Sequence, residues 1–224
     1  MEIISNYNLT FYILLLVAIL LGRIPVLGKF FKGVETMVHE FGHFIVALLT
    51  KGEVIAVNLF SDNSGNTISK TKNKFSGFLV SISGYITSSV FALLMYYCIS
   101  KQYYILPLVI LTSISLILLS LSIRNNYGVF WTIVFSLINI FVLIYKNQDV
   151  IHLTVCFYAH IIFVESIISC VHLLRLSIKN SKKAGDASVL QKLTKLPAVF
   201  WASVFLIISV ATAVVSVLYF FPKV

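Results

Sequence analysis

Long apolar runs, separated by short polar loops, constrain this 224-residue sequence more than any other feature. Hydrophobic residues make up 59% of the chain and charged residues only 11%, a balance typical of membrane proteins. A helix of about 20 apolar residues crosses the hydrocarbon layer of a bilayer, which is about 30 Å thick. Each crossing is expected to be helical, because lipid-exposed backbone must satisfy its own hydrogen bonds. The sequence therefore predicts an all-α, polytopic membrane protein with a single integral membrane domain over residues 1–224.

The apolar runs are sufficient for six to seven transmembrane helices. We place seven, at residues 3–21, 33–50, 75–100, 103–123, 127–145, 151–174 and 197–221. A polar stretch at residues 53–74 contains a strand-like run and then a turn signal, and predicts a β-hairpin at the membrane surface. A second stretch, at residues 175–196, is basic and has leucines at helical spacing, which predicts a surface or partly re-entrant helix.

The basic residues predict how the chain is oriented in the membrane. Its net charge is +9, but its 17 Lys and Arg residues lie in short loops, which indicates contact with the lipid bilayer rather than with nucleic acid. With seven alternating spans, 11 of the 17 lie on the side of the N-terminus: those at 51–74 and 175–195, and Arg124. The positive-inside rule then places the N-terminus in the cytoplasm, although Arg23, Lys29 and Lys32 would lie outside. The first run has no basic residue before it, so we interpret it as a retained span and not a signal peptide.

The sequence HEFGH at residues 39–43 lies within the second apolar run. Residues four apart share a helix face, so His39 and His43 can present two imidazoles to one metal ion. Glu40 is then placed to take a proton from a metal-bound water. The alternative is that both histidines are packed or hydrogen-bonded without a metal. Ionisable residues within a span are costly unless they have a function, which favours the metal site.

A catalytic zinc usually has three protein ligands and an open position for water, so a third ligand is expected. The candidates are Asp186, Glu165, His160, His172, Asp62 and Asp149. Four predicted spans separate the HEFGH helix from the loop that contains Asp186, so both lie on one side of the membrane. Asp149 falls on the other side, and Asp62 lies in a turn, where Asp is common for local reasons. The residue pattern alone leaves the choice open.

The predicted hairpin suggests how a substrate is held. A helical substrate hides its peptide bonds, and pairing with the edge of a sheet would keep it extended for cleavage. A plain connecting loop is the alternative for this segment. Candidate substrate-binding residues are Asn58, Asp62, Asn63, Ser64 and Gly65 in the hairpin, and Asn125 in a later loop.

Several motifs together resemble the site-2-protease-like group of intramembrane zinc metallopeptidases, in the small bacterial form without PDZ or CBS domains. They are HEFGH at 39–43 with ALLTKG at 47–52, DNSGNT at 62–67, SGY at 83–85, RNNYG at 124–128, GDA at 185–187 and QKLTKLPA at 191–198. The resemblance covers nearly the whole chain and implies zinc as cofactor and Asp186 as the third ligand. The better-known members have Leu-Asp-Gly at this aspartate, where this chain has Gly-Asp-Ala.

The function expected from these features is cleavage of transmembrane segments of other membrane proteins, near the cytoplasmic face of a bacterial cell membrane. The resemblance further implies regulated intramembrane proteolysis. Two other classes of function remain open. One is a catalytically silent scaffold that binds transmembrane segments, and the other is a metal or solute transporter that uses His160 and Glu165.

Overall fold

The computed structural model describes residues 2–223, with side chains from residue 8 onward. It is a helical bundle with one small sheet, as the sequence predicts. The elements are α1 (Glu2–Leu21), α2 (Leu27–Leu49), β1 (Glu53–Leu59), β2 (Gly65–Lys70), α3 (Lys74–Ser100), α4 (Ile105–Leu121), α5 (Asn126–Tyr145), α6 (Gln148–Lys179), a 3-10 turn (Ser181–Lys183), α7 (Gly185–Thr194) and α8 (Ala198–Tyr219).

Helix lengths fit a membrane-embedded bundle. Within the described residues, four helices are long and apolar enough to cross a bilayer, namely α3, α5, α6 and α8. Two shorter apolar helices, at Asn8–Leu21 and in α4, accompany them. Asparagine side chains fix the start of two of the long helices: Asn73 accepts a hydrogen bond from Ser76 N, and Asn147 accepts from the first backbone N–H groups of α6.

The first two helices differ from the predicted pattern of alternating spans. Asn8 and Tyr12 of α1 donate hydrogen bonds to the carbonyl oxygens of Lys223 and Pro222, at 3.0 and 2.6 Å. The start of α1 therefore lies beside the end of α8, whereas α2 ends at the sheet, at the other end of the bundle. The two helices run in the same direction and form one interrupted crossing, broken near Gly22 and Pro25, which favour helix termination. The start of α1 thus lies opposite the hairpin, whereas the seven-span prediction requires it to lie on the same side.

The sheet is an antiparallel hairpin of β1 and β2. One edge of β1 is covered, since Val57 N donates to Ser122 O at 2.8 Å. The hairpin packs along the side of α2 and not only against its end. Thr36 Oγ1 donates to Asn63 O, at the hairpin tip, at 3.0 Å. Thr36 precedes the end of α2 by 13 residues, or about 20 Å of helix. The tip therefore penetrates the bundle, which a hairpin confined to the surface would not do.

A separate apolar cluster holds α7 in place. Ala187 and Leu190 of α7 are fully buried and pack with Leu173 of α6 and with Ala202 and Phe205 of α8. This short helix follows the 3-10 turn after α6, so the predicted basic segment at 175–196 divides between the end of α6 and α7. The packing fixes the first turn of α7, which contains Asp186, against α3.

Candidate metal centre and active site

Helix α2 brings the two imidazoles of the HEFGH motif together. The Nε2 atoms of His39 and His43 lie 3.1 Å apart. The other nitrogen of His43, Nδ1, lies 2.6 Å from the carbonyl oxygen of Val80, to which it donates when it carries the proton. That tautomer leaves the Nε2 lone pair free to bind a metal, an arrangement common among metal-binding histidines.

Asp186, in the first turn of α7, completes a triangle with the two histidines. Its Oδ2 lies 3.3 Å from His39 Nε2 and 3.2 Å from His43 Nε2. Burial tends to raise the pKa of Asp186, but the adjacent imidazoles outweigh it and hold that pKa well below its usual range. A carboxylate oxygen at this position can bind a metal ion together with the two imidazoles.

The dimensions of this triangle fit a tetrahedral zinc site. Zinc binds nitrogen and oxygen ligands at about 2.0–2.1 Å, so neighbouring ligand atoms of a tetrahedral site lie about 3.3 Å apart. The three distances are 3.1, 3.2 and 3.3 Å. Among the described residues, this is the only group of three His, Cys, Asp or Glu side chains close enough to hold one metal ion.

Gly84 of α3 leaves the space beside the imidazoles open. A Cβ at this position would lie 2.5 Å from His39 Nε2 and 2.6 Å from His43 Nε2. Any larger residue would therefore fill the space in which the ligand atoms converge. The absence of a side chain at Gly84 is an independent indication that the group is shaped to accommodate an ion.

Glu40 lies beside the triangle and is held by the hairpin. Its side chain is buried, and its Oε2 accepts a hydrogen bond of 2.6 Å from Thr67 Oγ1 of β2. Its Oε1 faces the backbone of Gly65, where a Cβ would approach to 2.5 Å. The close approach of strand to helix at Gly65 thus holds the carboxylate between α2 and β2, with Oε2 fixed in orientation.

Two cavities meet at the site and share His39, Glu40, Gly65 and Tyr85. The first, which we call the strand-edge cavity, has a volume of about 760 Å³ and is lined by β2 and by α7. The second, which we call the Glu35 cavity, has a volume of about 500 Å³ and extends along α2 past Glu35 toward α6. The two cavities therefore adjoin at the candidate metal centre.

The predicted substrate-binding residues separate into two groups. Asp62, Asn63, Ser64 and Gly65 line the Glu35 cavity, whereas neither cavity lining includes Asn58 or Asn125. Asp62 shapes the turn, because its Oδ1 accepts hydrogen bonds from Ser64 N and Ser64 Oγ, which lower the pKa of Asp62.

The amides of Asn58 and Asn125 have structural partners in the hairpin. Asn58 donates across the sheet to Asn66 Oδ1 at 2.8 Å. Asn125 accepts from Leu59 N and donates to Leu59 O, so its amide pairs with the edge of β1. This amide therefore anchors the hairpin, and a part for Asn125 in substrate binding stays a prediction.

The other third-ligand candidates lie outside the triangle. Glu165 forms an ion pair with Lys32 at 3.3 Å, and His160 Nδ1 lies 2.7 Å from Tyr96 OH. His172 lines the Glu35 cavity, and Asp149 lines a cavity at the opposite end of the bundle.

Three residues around the site were not singled out as functional from the sequence. Thr67 orients Glu40, Gly84 makes space for the ligand atoms, and the ring of Tyr85 packs edge-on against His39 with centroids 4.5 Å apart. Thr67, Gly84 and Tyr85 belong to motifs that carry the family resemblance, which was the available signal. Their roles depend on contacts between helix and strand or between two helices, which neither periodicity nor spacing reveals.

Comparison with known families agrees with this geometry. The family model described as Peptidase M50B-like matches residues 12–216, which include every residue of the triangle, Glu40 and the hairpin. No curated protein and no solved structure matches the chain. The family match extends over nearly the whole sequence, and the chain therefore belongs to the Peptidase M50B-like family, the site-2-protease-like group of membrane metallopeptidases.

Proposed function

We propose that this protein is an intramembrane zinc metalloprotease that cleaves transmembrane segments of other membrane proteins. The observation that carries the proposal is the triangle of His39, His43 and Asp186, with ligand-atom separations of 3.1–3.3 Å and with Glu40 beside it. The ligand set of two imidazoles and one carboxylate, with room for water, favours zinc.

Each residue of the site has a separate role in the proposed peptide hydrolysis. His39, His43 and Asp186 would hold the ion, which when bound would polarise a water molecule and the scissile carbonyl group. Glu40 accepts the proton of the attacking water at Oε1 and delivers it to the nitrogen of the leaving amine. Thr67 keeps the carboxylate in position by its hydrogen bond to Oε2.

The free edge of β2 presents the substrate. β1 covers one side of β2, and the structure describes no further strand on the other side. Residues 65–69 of β2 line the strand-edge cavity. A substrate segment that unwinds could pair its backbone with this edge and so pass the metal group in an extended form. The hairpin contributes through its backbone, and also through Thr67.

Charge distribution supports a cytoplasmic location for the hairpin end of the bundle. Because α1 and α2 form one interrupted crossing, only Lys101, Lys146 and Lys223 remain in the loops of the opposite end, against 11 basic residues at the hairpin end. The positive-inside rule then places the active site near the cytoplasmic face of a bacterial cell membrane and the N-terminus outside. An N-terminal tag that is accessible from outside intact cells would support this orientation, and one accessible only after lysis would reject it.

Regulated proteolysis in signalling is proposed from the family resemblance. A transporter that uses His160 and Glu165 receives little support, since their partners are Tyr96 and Lys32. A silent scaffold is the remaining alternative, and it has no need of the hydrogen bond that orients Glu40.

Metal analysis and cleavage assays test the proposal. We expect purified protein in detergent to bind one zinc ion, and His39→Ala to lose it, while His152→Ala at the opposite end of the bundle keeps it. With a panel of labelled single-span segments, Glu40→Gln should bind zinc normally but cleave about 10²–10⁴-fold more slowly. Unchanged cleavage in Glu40→Gln would refute the assigned base, and the absence of zinc under zinc-replete conditions would refute the metal site.

A further inference from the structure

We propose that the Glu35 cavity is a substrate subsite that binds a Lys or Arg side chain close to the scissile bond. The inference rests on the proposed function, because a subsite implies that a peptide segment occupies the site. It concerns the choice of substrate rather than the chemistry of cleavage.

The position of the cavity is the first argument. It shares His39 and Glu40 with the strand-edge cavity, so a segment that passes the metal group can extend a side chain into it. Glu35 lies five residues before Glu40 on α2, or about 7.5 Å along the helix. An extended peptide advances about 3.3 Å per residue, so the subsite lies about two residues from the cleaved bond, on the side away from the hairpin end.

Glu35 supplies the second argument. Glu35 is only 6% exposed, and its Oε1 makes no hydrogen bond among the described residues, although the hydroxyl of Ser88 on α3 lies nearby and is also without a partner. A buried carboxylate oxygen without a donor is unfavourable, and a donor brought by a ligand would satisfy it. Glu35 precedes His39 by one helical turn on the same face of α2, and it lines the cavity next to the metal group.

The charges of the cavity select a cation. Lys32 and Glu165, both in the lining, form an ion pair at 3.3 Å and compensate each other. Arg23 also interacts with Glu165, and Lys29 interacts with Asp62, so Glu35 is the acid of the lining that is left without a Lys or Arg partner among the described residues. A lysine or arginine in a transmembrane segment needs an anionic partner, and an arginine can bind a carboxylate with two hydrogen bonds.

A binding experiment tests the subsite without depending on cleavage. The full-length, metal-loaded Glu40→Gln protein in detergent is titrated with fluorescent transmembrane peptides of about 25 residues, long enough to span a bilayer. Each peptide has Lys, Leu or Glu at one of the successive central positions. We expect one position at which Lys binds about tenfold more tightly than Leu, the effect of one charge-assisted hydrogen bond, and at which Glu binds more weakly.

Two added substitutions assign the preference to the cavity. Glu35→Gln should abolish the preference for Lys, whereas Glu53→Gln, which removes an exposed carboxylate of β1 outside both cavities, should retain it. Metal content and thermal unfolding report whether Glu35→Gln is folded. If it is not, Asp62→Asn, an exposed substitution, should reduce the preference by about threefold.

The outcomes separate this inference from the proposed function. Equal binding of Lys, Leu and Glu at every position, or a preference unchanged by both Glu35→Gln and Asp62→Asn, would overturn the subsite. Cleavage of the same peptides by the wild-type protein without any preference for Lys would also overturn the subsite, while it would support the protease. A preference for Lys in a protein that cleaves nothing would support the subsite and overturn the protease.

Discussion

The candidate metal centre has two ligands from α2 and one from α7, and different features of the fold bring them together. On α2, His39 and His43 are four residues apart, so one helical turn is enough to bring their Nε2 atoms to 3.1 Å. Asp186 on α7 lies 143 positions after His43 in the chain and reaches it only through packing against α3, α6 and α8. The two histidines are therefore placed by local helix geometry, whereas Asp186 is placed by the tertiary fold.

The largest effect on metal binding is expected from a change in the histidines of α2. His43→Ala removes a ligand that nothing nearby replaces, and even changes in residues that only support a ligand weaken metal binding by 10–100-fold. We therefore expect metal affinity to fall by more than about 100-fold and peptidase activity to disappear. Competition with a zinc-specific chelator measures the affinity. Stoichiometric zinc in this variant would mean that α2 does not supply the essential ligands.

The next prediction compares two glycines, one beside the histidines of α2 and one beside Asp186. Gly84→Ala places a Cβ at 2.5 and 2.6 Å from the imidazole nitrogens of α2, and we expect metal binding to weaken by at least about tenfold. Gly185→Ala, beside Asp186, has a φ of +42° but no atom within 4 Å of the added Cβ. It should cost about 1 kcal/mol in backbone strain and retain the metal. Equal loss of zinc in both variants would contradict a space reserved by Gly84.

Packing of α7 is the subject of the third prediction. Leu190 is fully buried, and Leu190→Ala should lower the free energy of unfolding by about 2–5 kcal/mol and weaken metal binding, because the position of Asp186 is loosened. Leu196→Ala, at a side chain that is 43% exposed, should change the stability by less than about 0.5 kcal/mol. Unfolding in detergent and zinc titration measure both. Normal zinc affinity in a destabilised Leu190→Ala protein would show that Asp186 does not depend on this cluster.

The smallest effect is expected where the hairpin supports α2. Thr67→Val removes the 2.6 Å hydrogen bond to Glu40 Oε2 and should lower kcat about tenfold, with no change in zinc content. Thr50→Val is the matched control, since its hydroxyl donates only to carbonyl oxygens of its own helix. A loss of zinc in Thr67→Val would assign the strand a part in metal binding itself.

Several features of the fold could be predicted because they follow from local rules. The apolar runs gave the helices of the bundle, and the turn at residues 61–66 with its flanking strand-like runs gave the hairpin. The direction of α1 could not be predicted in this way. An apolar run separated from the next by Gly22 and Pro25 indicates a break, but it does not indicate whether the chain reverses there. The contacts of Asn8 and Tyr12 with the C-terminal residues decide that it does not.

The sequence by itself determined the membrane setting, the two imidazoles and the glutamate beside them, since helix period and hydropathy are properties of neighbouring residues. Only the tertiary structure decided which acidic residue joins the histidines, how deep the hairpin extends, and which carboxylates are paired. Glu35 and Glu165 look alike in the sequence, as single acids in apolar runs, yet one oxygen of Glu35 lacks a donor while Glu165 pairs with Lys32. The physical reason is that burial and ion pairing depend on which helices face each other, and the sequence of one helix does not specify which helices pack against it.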